Sequence, residues 1–232
     1  MTLTGPKTLR ISIIIPVLNE AAAIGPCLDR LPRSPEIELV LADGGSSDAT
    51  AEEIRARGLE PLCAAPGRGT QLRAGAAAAS GGIFLFLHCD TCLPPDFIAH
   101  VRSTLGRSGV AAGAFRLRID APGTVFRLIE AGANLRSSVL GLPYGDQAMF
   151  LRRETYFAAG GFPEQPLMED VVLAKRLRRL GAIVLAPAAA ATSARRWQRL
   201  GPLRVTLINQ LMLLGHAAGI PPERLASWYR RR

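Results

Sequence analysis

Residues 11–20 read ISIIIPVLNE: a short unbroken apolar run, then a proline, an asparagine and an acid. A run this short with no polar alternation is the pattern of a strand buried on both faces, as in a parallel sheet. The pattern returns at 37–42 (IELVLA) and 83–87 (IFLFL). Helical segments are expected between the runs, over about 20–31, 48–57 and 70–80, with Ser47 as N-cap of the second and Gly58 as its stop. Strand–helix–strand repetition predicts the α/β class, with a mostly parallel sheet flanked by helices. In such sheets ligands bind beyond the carboxyl ends of the strands. The residues that follow each run therefore decide the function.

The second half changes character. AAGAFRLRI (111–119) and QAMFLRR (147–153) read as strands, and helices are expected at 122–140, 169–180 and 202–218. Leu173, Leu177 and Leu180 would share one helical face, with Gly181 ending that helix. No linker interrupts the 232 residues, so 1–232 is expected to form a single domain whose halves share one sheet.

The net charge is +9, with arginines gathered late: Arg195, Arg196, Arg199, Arg204, Arg224 and Arg230 to Arg232. This balance favours anionic partners. Aromatic residues do not alternate with the basic ones, so no nucleic-acid partner is expected. Four cysteines are too few for a disulfide framework, no signal peptide is recognised, and no apolar stretch is long enough to span a membrane. The expected compartment is the cytoplasm. The segment 203–218 is amphipathic and flanked by arginines, which suits peripheral contact at an inner membrane face, docking on the sheet or pairing in a homodimer.

Each of the three buried strands delivers an acid to the same rim: Glu20 after the first, Asp43 after the second and Asp90 after the third. Taken singly, these are a solvated first-turn acid, a turn former and a helix cap. Taken together, they suit a nucleoside-diphosphate ligand: one carboxylate can accept from a base or ribose, and another can hold a divalent cation against the phosphates. The G-x-G-x-x-G turn of dinucleotide folds and the phosphate-binding P-loop are both absent.

The third strand runs into FLFLHCDTCLP (84–94), which contains a C-x-x-C pair, Cys89 and Cys92, around Asp90. A zinc site needs about four nitrogen or sulfur ligands, and no second C-x-x-C or histidine pair supplies them. A redox couple, or a non-enzymatic redox or metal-binding module built on Cys89 and Cys92, stays open but leaves Glu20, Asp43 and Asp170 unused. Cys89 is expected to pack inward.

ISIIIPVLNE, LADGGSSDAT and FLHCDT, followed by YGDQAMFLRRETYFAAGGFPEQPLMEDVVLAKRLRRLG and SARRW (193–197), together resemble the family-2 glycosyltransferases of the GT-A fold over about residues 10–200. Within that family the chain is similar to a small stand-alone bacterial subgroup associated with arsenosugar or related biosynthetic clusters. The resemblance implies a nucleotide-binding half (about 10–110), an acceptor half (about 111–200) and a C-terminal helical segment (about 201–232). It implies inverting transfer of a sugar from a UDP- or GDP-linked donor to an acceptor hydroxyl, with Mn²⁺ or Mg²⁺. By position, it implies that Pro16 to Glu20, including Asn19, line the nucleotide and that Asp43 reads the base. It further implies that Arg68 contacts the nucleotide and that Asp90 binds the metal. His88 stands where the metal motif usually has its first aspartate, and imidazole suits Mn²⁺ better than Mg²⁺. Asp170 is the expected general base, with Glu169 competing, because a helix rotates by about 100° per residue and only one is expected to point inward. Asp146 and Gln147 would face the acceptor, and Arg195 or Arg196 would clamp the departing diphosphate. A sugar nucleotidyltransferase is the alternative enzyme.

Overall fold

The computed structural model describes residues 9–230; Arg231 and Arg232 of the late arginine cluster lie outside them. The three apolar runs are strands β1 (Ile11–Val17), β2 (Ile37–Asp43) and β4 (Ile83–Phe86). β1 pairs in parallel with both others, Ile11 standing level with Ile37 and with Ile83. Val17 and Asp43 are partners at the top of that register. Short β3 (Leu62–Cys63) extends the parallel edge beside β2.

Why these runs are apolar throughout is visible in the packing. Ile13, Ile15 and Leu85 face one cluster, with Ile24 and Leu28 of helix α1 (Ala21–Asp29) and Phe97 and Val101 of α4 (Phe97–Leu105). Ile14, Phe84 and Phe86 face the other, with Leu72 of α3 (Arg68–Ala78), Tyr156 of α6 (Arg153–Ala158), and Leu173 and Leu177 of α7 (Glu169–Leu177). Helices cover both sides of the sheet, so neither face needs polar residues.

The sheet has eight strands in the order β3-β2-β1-β4-β7-β6-β8-β5 and runs through both halves of the chain. β7 (Phe150–Arg152) is antiparallel to its neighbours β4 and β6 (Val110–Asp120). β8 (Ala182–Ser193) is parallel to β6, and β5 (Thr91–Cys92) closes the edge against β8.

Several local expectations are corrected. β8 was not expected, because an alanine-rich stretch with Pro187 lacks strand character; the register against β6 slips between Ala114 and Arg116, and Pro187 is exposed there. β7 is shorter than expected: Gln147 belongs to a 3₁₀ turn (Gly145–Gln147) that precedes it. Ser47 does not cap α2 (Thr50–Arg55); the N-cap position is Ala49, and Asp48 just before it accepts from the backbone and hydroxyl of Thr50. Leu180 lies beyond the end of α7 and is 50% exposed, so it does not share the buried face of Leu173 and Leu177.

The last elements are α8 (Arg195–Leu200), α9 (Pro202–Ala217) and α10 (Pro222–Arg230). Val205 of α9 inserts beside Trp197, Leu117 and Ile119, whereas Leu203, Leu207, Leu211 and Leu214 face outward. No helix among the described residues is long and apolar enough to cross a membrane. α5 (Thr124–Leu140) lies alongside α9.

Candidate functional site

The loops after β1 and β2 are stitched into one rim. Asn19, in the left-handed region at φ 55°, donates its backbone N–H to Ser46 Oγ (3.0 Å) and accepts at Oδ1 from the Ser47 N–H (2.9 Å). The Glu20 N–H donates to Thr50 Oγ1 (2.8 Å). Asp43 Oδ1 accepts from the Ser46 N–H and hydroxyl, at 2.9 and 2.7 Å. Beneath them the buried Gln71 amide donates to the carbonyls of Val17 and Ala42, at 2.7 and 2.9 Å, locking the two strand ends together. Asn19 is thus a loop fastener and not a lining residue, and one oxygen of Asp43 is committed to its own turn.

Two adjoining cavities open above this rim. One, of about 280 Å³, is lined by Pro16, Val17, Leu18, Glu20 and Gln71. The other, of about 230 Å³, is lined by Tyr144, Asp146, Glu169, Asp170, Ser193 and Arg196. Arg68, His88 and Asp90 belong to both, and the combined space reaches the scale of a small-molecule site.

His88 stands at the divide. Its ring packs against the bare Cα of Gly145, where an added Cβ would sit 2.6 Å from Cε1 and Nε2. Burial, reinforced by the Arg68 charge, pushes its pKa down to about 3, so the imidazole is neutral with a free lone pair. The Asp90 carbonyl accepts from the Ser193 N–H at 3.0 Å, and Thr91 pairs with Thr192 across β5 and β8. This long-range tie brings the start of α8 over the cavity. Arg196 lines it, its guanidinium stacked 4.6 Å above the Tyr229 ring, whereas Arg195 is exposed and outside.

α7 supplies the acidic pair. Its N-cap, Met168, adopts a left-handed conformation (φ 65°), a strained geometry for a side-chain-bearing residue at a cavity wall. Glu169 is 3% exposed and pairs with Arg68 at 3.5 Å. Burial and the neighbouring Asp170 charge raise its pKa, and Arg68 opposes them. Asp170 turns the other way, its Oδ2 accepting from the Gly145 N–H at 3.1 Å. Both acids line the same cavity, which corrects the expectation that only one points inward. The approach of α3 to α7 requires Gly69, where a Cβ would stand 2.6 Å from the Pro163 carbonyl and 3.1 Å from Glu169 Cβ.

Asp146 and Gln147 part company. Gln147 is fully buried, donates to the Phe115 carbonyl (3.1 Å) and accepts from the Ser137 hydroxyl (2.6 Å) and the Tyr144 N–H (3.2 Å). It is a structural residue and does not face the cavity. Asp146 does face it: its Oδ1 is buried without a partner, and burial, against the opposing Arg136 charge, pushes its pKa up to about 6. Trp197, Asn209 and Tyr229 complete the wall. The first stands in the motif SARRW; the other two are single polar or aromatic residues in C-terminal helices, for which the sequence offers no signal.

The two thiols of the pair part: Cys89 touches the strand-end cavity beside Glu20, whereas Cys92 lines neither cavity. Cys89 is 8% exposed, as expected, and burial raises its pKa. Cys92 Sγ accepts from Arg30 Nη1 at 2.9 Å, and Cys27 lines a third cavity with Cys92. Among the described residues no three His, Cys, Asp or Glu side chains come together as a metal-ligand set.

Comparison with known proteins places this geometry in a family. A PGL/p-HBAD biosynthesis glycosyltransferase of Mycobacterium bovis is 54% identical over 43 residues, 18% of this chain and 17% of that protein, so the chain spans less than a fifth of the curated relatives it matches. Glucosyl-3-phosphoglycerate synthase from Mycobacterium tuberculosis, solved with Mn²⁺, UDP-glucose and phosphoglyceric acid, superposes with a TM-score of 0.63 at 26% identity, covering 92% of this chain and 81% of that one. A mannosyltransferase from Pyrobaculum calidifontis, solved with GDP-mannose and Mn²⁺, shares the fold at 21% identity and a TM-score of 0.63, covering 79% of this chain and 56% of that one. The architecture is of the GT-A type. Residues 12–162, nearly two-thirds of the chain, match the profile described as Glycosyl transferase family 2, and the protein belongs to that family.

Proposed function

We propose that the protein transfers a sugar from a nucleoside-diphosphate sugar to an acceptor hydroxyl, with inversion and with a divalent cation. The observation that carries this reading is the shared wall: His88 and Asp90 at the end of β4 join a strand-end pocket to a cavity holding Glu169, Asp170 and Asp146. Bound nucleotide would occupy the strand-end pocket along Pro16 to Leu18 and Glu20. The second oxygen of Asp43, which accepts no hydrogen bond from the described residues, is left for the base.

A cation bound here would neutralise charge on the diphosphate as the sugar leaves it. The donor set fits one. The Asp90 carboxylate and the neutral His88 imidazole come from one strand end, and these two side chains would hold the ion. Imidazole beside carboxylate favours Mn²⁺ over Mg²⁺. The glucosyl-3-phosphoglycerate synthase was solved with Mn²⁺ and UDP-glucose and also with Mg²⁺ and UDP, which supports a divalent cation here.

Asp170, at the N-terminus of α7, is proposed as the general base. From the first turn of that helix it removes the acceptor's proton as the oxygen attacks the anomeric carbon. Glu169 is a positioning residue: it holds Arg68 between the two cavities. Arg196, held over Tyr229, is placed to meet the departing diphosphate.

Incubation with a panel of UDP- and GDP-sugars tests the reading. Release of nucleoside diphosphate supports it; release of pyrophosphate would instead make the protein a nucleotidyltransferase. In calorimetry with UDP and GDP, Asp90→Ala should lose Mn²⁺-dependent binding, while Cys89→Ser combined with Cys92→Ser should keep it. The reverse pattern would return the site to the thiols.

A further inference from the structure

A groove of about 300 Å³ runs between α5 and α9, floored by Leu117 and walled by Val125, Leu128, Ile129 and Leu203. It is continuous with the catalytic cavity, because Tyr144, Asp146, Trp197 and Asn209 line both. Of the residues at that junction, three carry a buried polar atom with no hydrogen-bond partner among the described residues: the Tyr144 hydroxyl, Asp146 Oδ1 and Trp197 Nε1. Buried donors and acceptors are normally satisfied, and three unpaired atoms on residues that line both spaces mark the junction as a place for a ligand's polar group.

Among the described residues the groove is mostly apolar and its lining holds one cation, Arg136, whose guanidinium lies 3.6 Å over the Tyr144 ring and whose Nε donates to the Leu142 carbonyl at 3.2 Å. Leu128 is 72% and Leu203 76% exposed on the groove's lips, so apolar surface continues outward from the site. Hydrocarbon laid there would remove that surface from water, at about 25 cal/mol per Å².

We propose that the acceptor is a neutral hydroxylated amphiphile, its hydroxyl at the Tyr144–Asp146–Trp197 junction and its hydrocarbon body in the groove between α5 and α9. The proposal rests on the glycosyl-transfer reading above and names its acceptor class. In the reaction the acceptor oxygen bonds to the anomeric carbon while the bond from that carbon to the diphosphate oxygen breaks. The electron pair leaves with the nucleoside diphosphate, and the acceptor's proton passes to Asp170. Asp146 and Tyr144 orient the hydroxyl, and the groove sets which molecules bring one.

The test compares transfer to 4-octylphenol, glycerol and 3-phosphoglycerate, using whichever nucleotide-sugar is turned over. 4-Octylphenol should have a kcat/KM at least about tenfold above either polar acceptor. Leu128→Glu, at an exposed position that does not threaten the core, should raise the KM for 4-octylphenol about tenfold or more with little change in kcat. Leu180→Gln, an exposed leucine outside the groove, should change neither. Preference for glycerol or 3-phosphoglycerate would overturn the acceptor assignment and leave glycosyl transfer standing. An unmoved KM in Leu128→Glu, with a shift in sedimentation, would make the groove a contact between copies and overturn it too. If no nucleoside diphosphate is released from any donor with any acceptor, the underlying reading fails as well.

Discussion

At the amino ends of the central strands, Glu38 is surrounded by donors: the Ser12 hydroxyl, the Ser80 N–H and hydroxyl, and the Gly81 N–H, with Arg10 3.9 Å away. At the carboxyl ends, Asp146 keeps a buried oxygen with no partner, and Glu169 has Arg68 on one side and another carboxylate on the other. Burial pushes on all three. For Glu38 the hydrogen bonds overcome it and the pKa falls; for Asp146 and Glu169 burial prevails and the pKa rises. A saturated carboxylate ties strands together, while an under-satisfied one, held in place by the surrounding fold, is available to a ligand.

The contrast predicts that changes at the two ends will be read by different instruments. The largest effect belongs to the carboxyl end. Asp170→Asn should lower kcat by on the order of 10² or more while donor affinity, measured by calorimetry, is preserved; Glu169→Gln should cost distinctly less. If the Glu169 variant is the inactive one, the base is misassigned, and if both remain active the pair is structural.

At the amino end the loss should appear in stability instead. Glu38→Gln places an amide among donors that need an acceptor, and urea unfolding at pH 7 should show a loss of about 1.5–3 kcal/mol, with KM unchanged. Because the folded pKa of Glu38 is lowered, its contribution is present above the ordinary carboxylate range and should fade as pH falls through it. A kinetic effect without a stability effect would break the comparison.

The smallest effect tests the opposite sign. Asp146 is pushed from 3.8 up to about 6, so the folded protein holds this proton more tightly than the unfolded chain. That advantage is complete below about pH 4 and drains away as pH rises toward 6. A two-unit shift corresponds to about 3 kcal/mol at most, and partial exposure of the residue reduces it to about 1–2 kcal/mol. Asp146→Asn should flatten the stability profile between those pH values, and an unaltered slope would show that Asp146 is not the titrating group.

Some of this was legible in the chain and some was not. The C-x-x-C pair draws the eye toward zinc or redox chemistry, yet Cys89 is buried and touches only the strand-end cavity, while Asp90, between the two cysteines, lines both. Gln147 sits beside Asp146 in the same motif, but the 3₁₀ turn sends its amide into the core and the carboxylate into the site. Asn19 and Asp43 stand at the predicted strand ends, and both spend polar atoms on shaping the loops that others line.

The sequence by itself determined β1, β2 and β4 and the acids that follow them, because burial on both faces writes a continuous apolar run, and the carboxyl ends of such strands are where ligands gather. Only the tertiary structure decided the rest. β8 exists because β6 offers it a partner across a bulge that tolerates Pro187, not because its alanines favour a strand. Arg196 and Trp197 reach the cavity because the Asp90 carbonyl bonds to Ser193, 103 positions away in the sequence. Glu169 and Asp170 both face inward because Arg68 draws one and the Gly145 N–H the other. Such pairings join residues that local periodicity never compares.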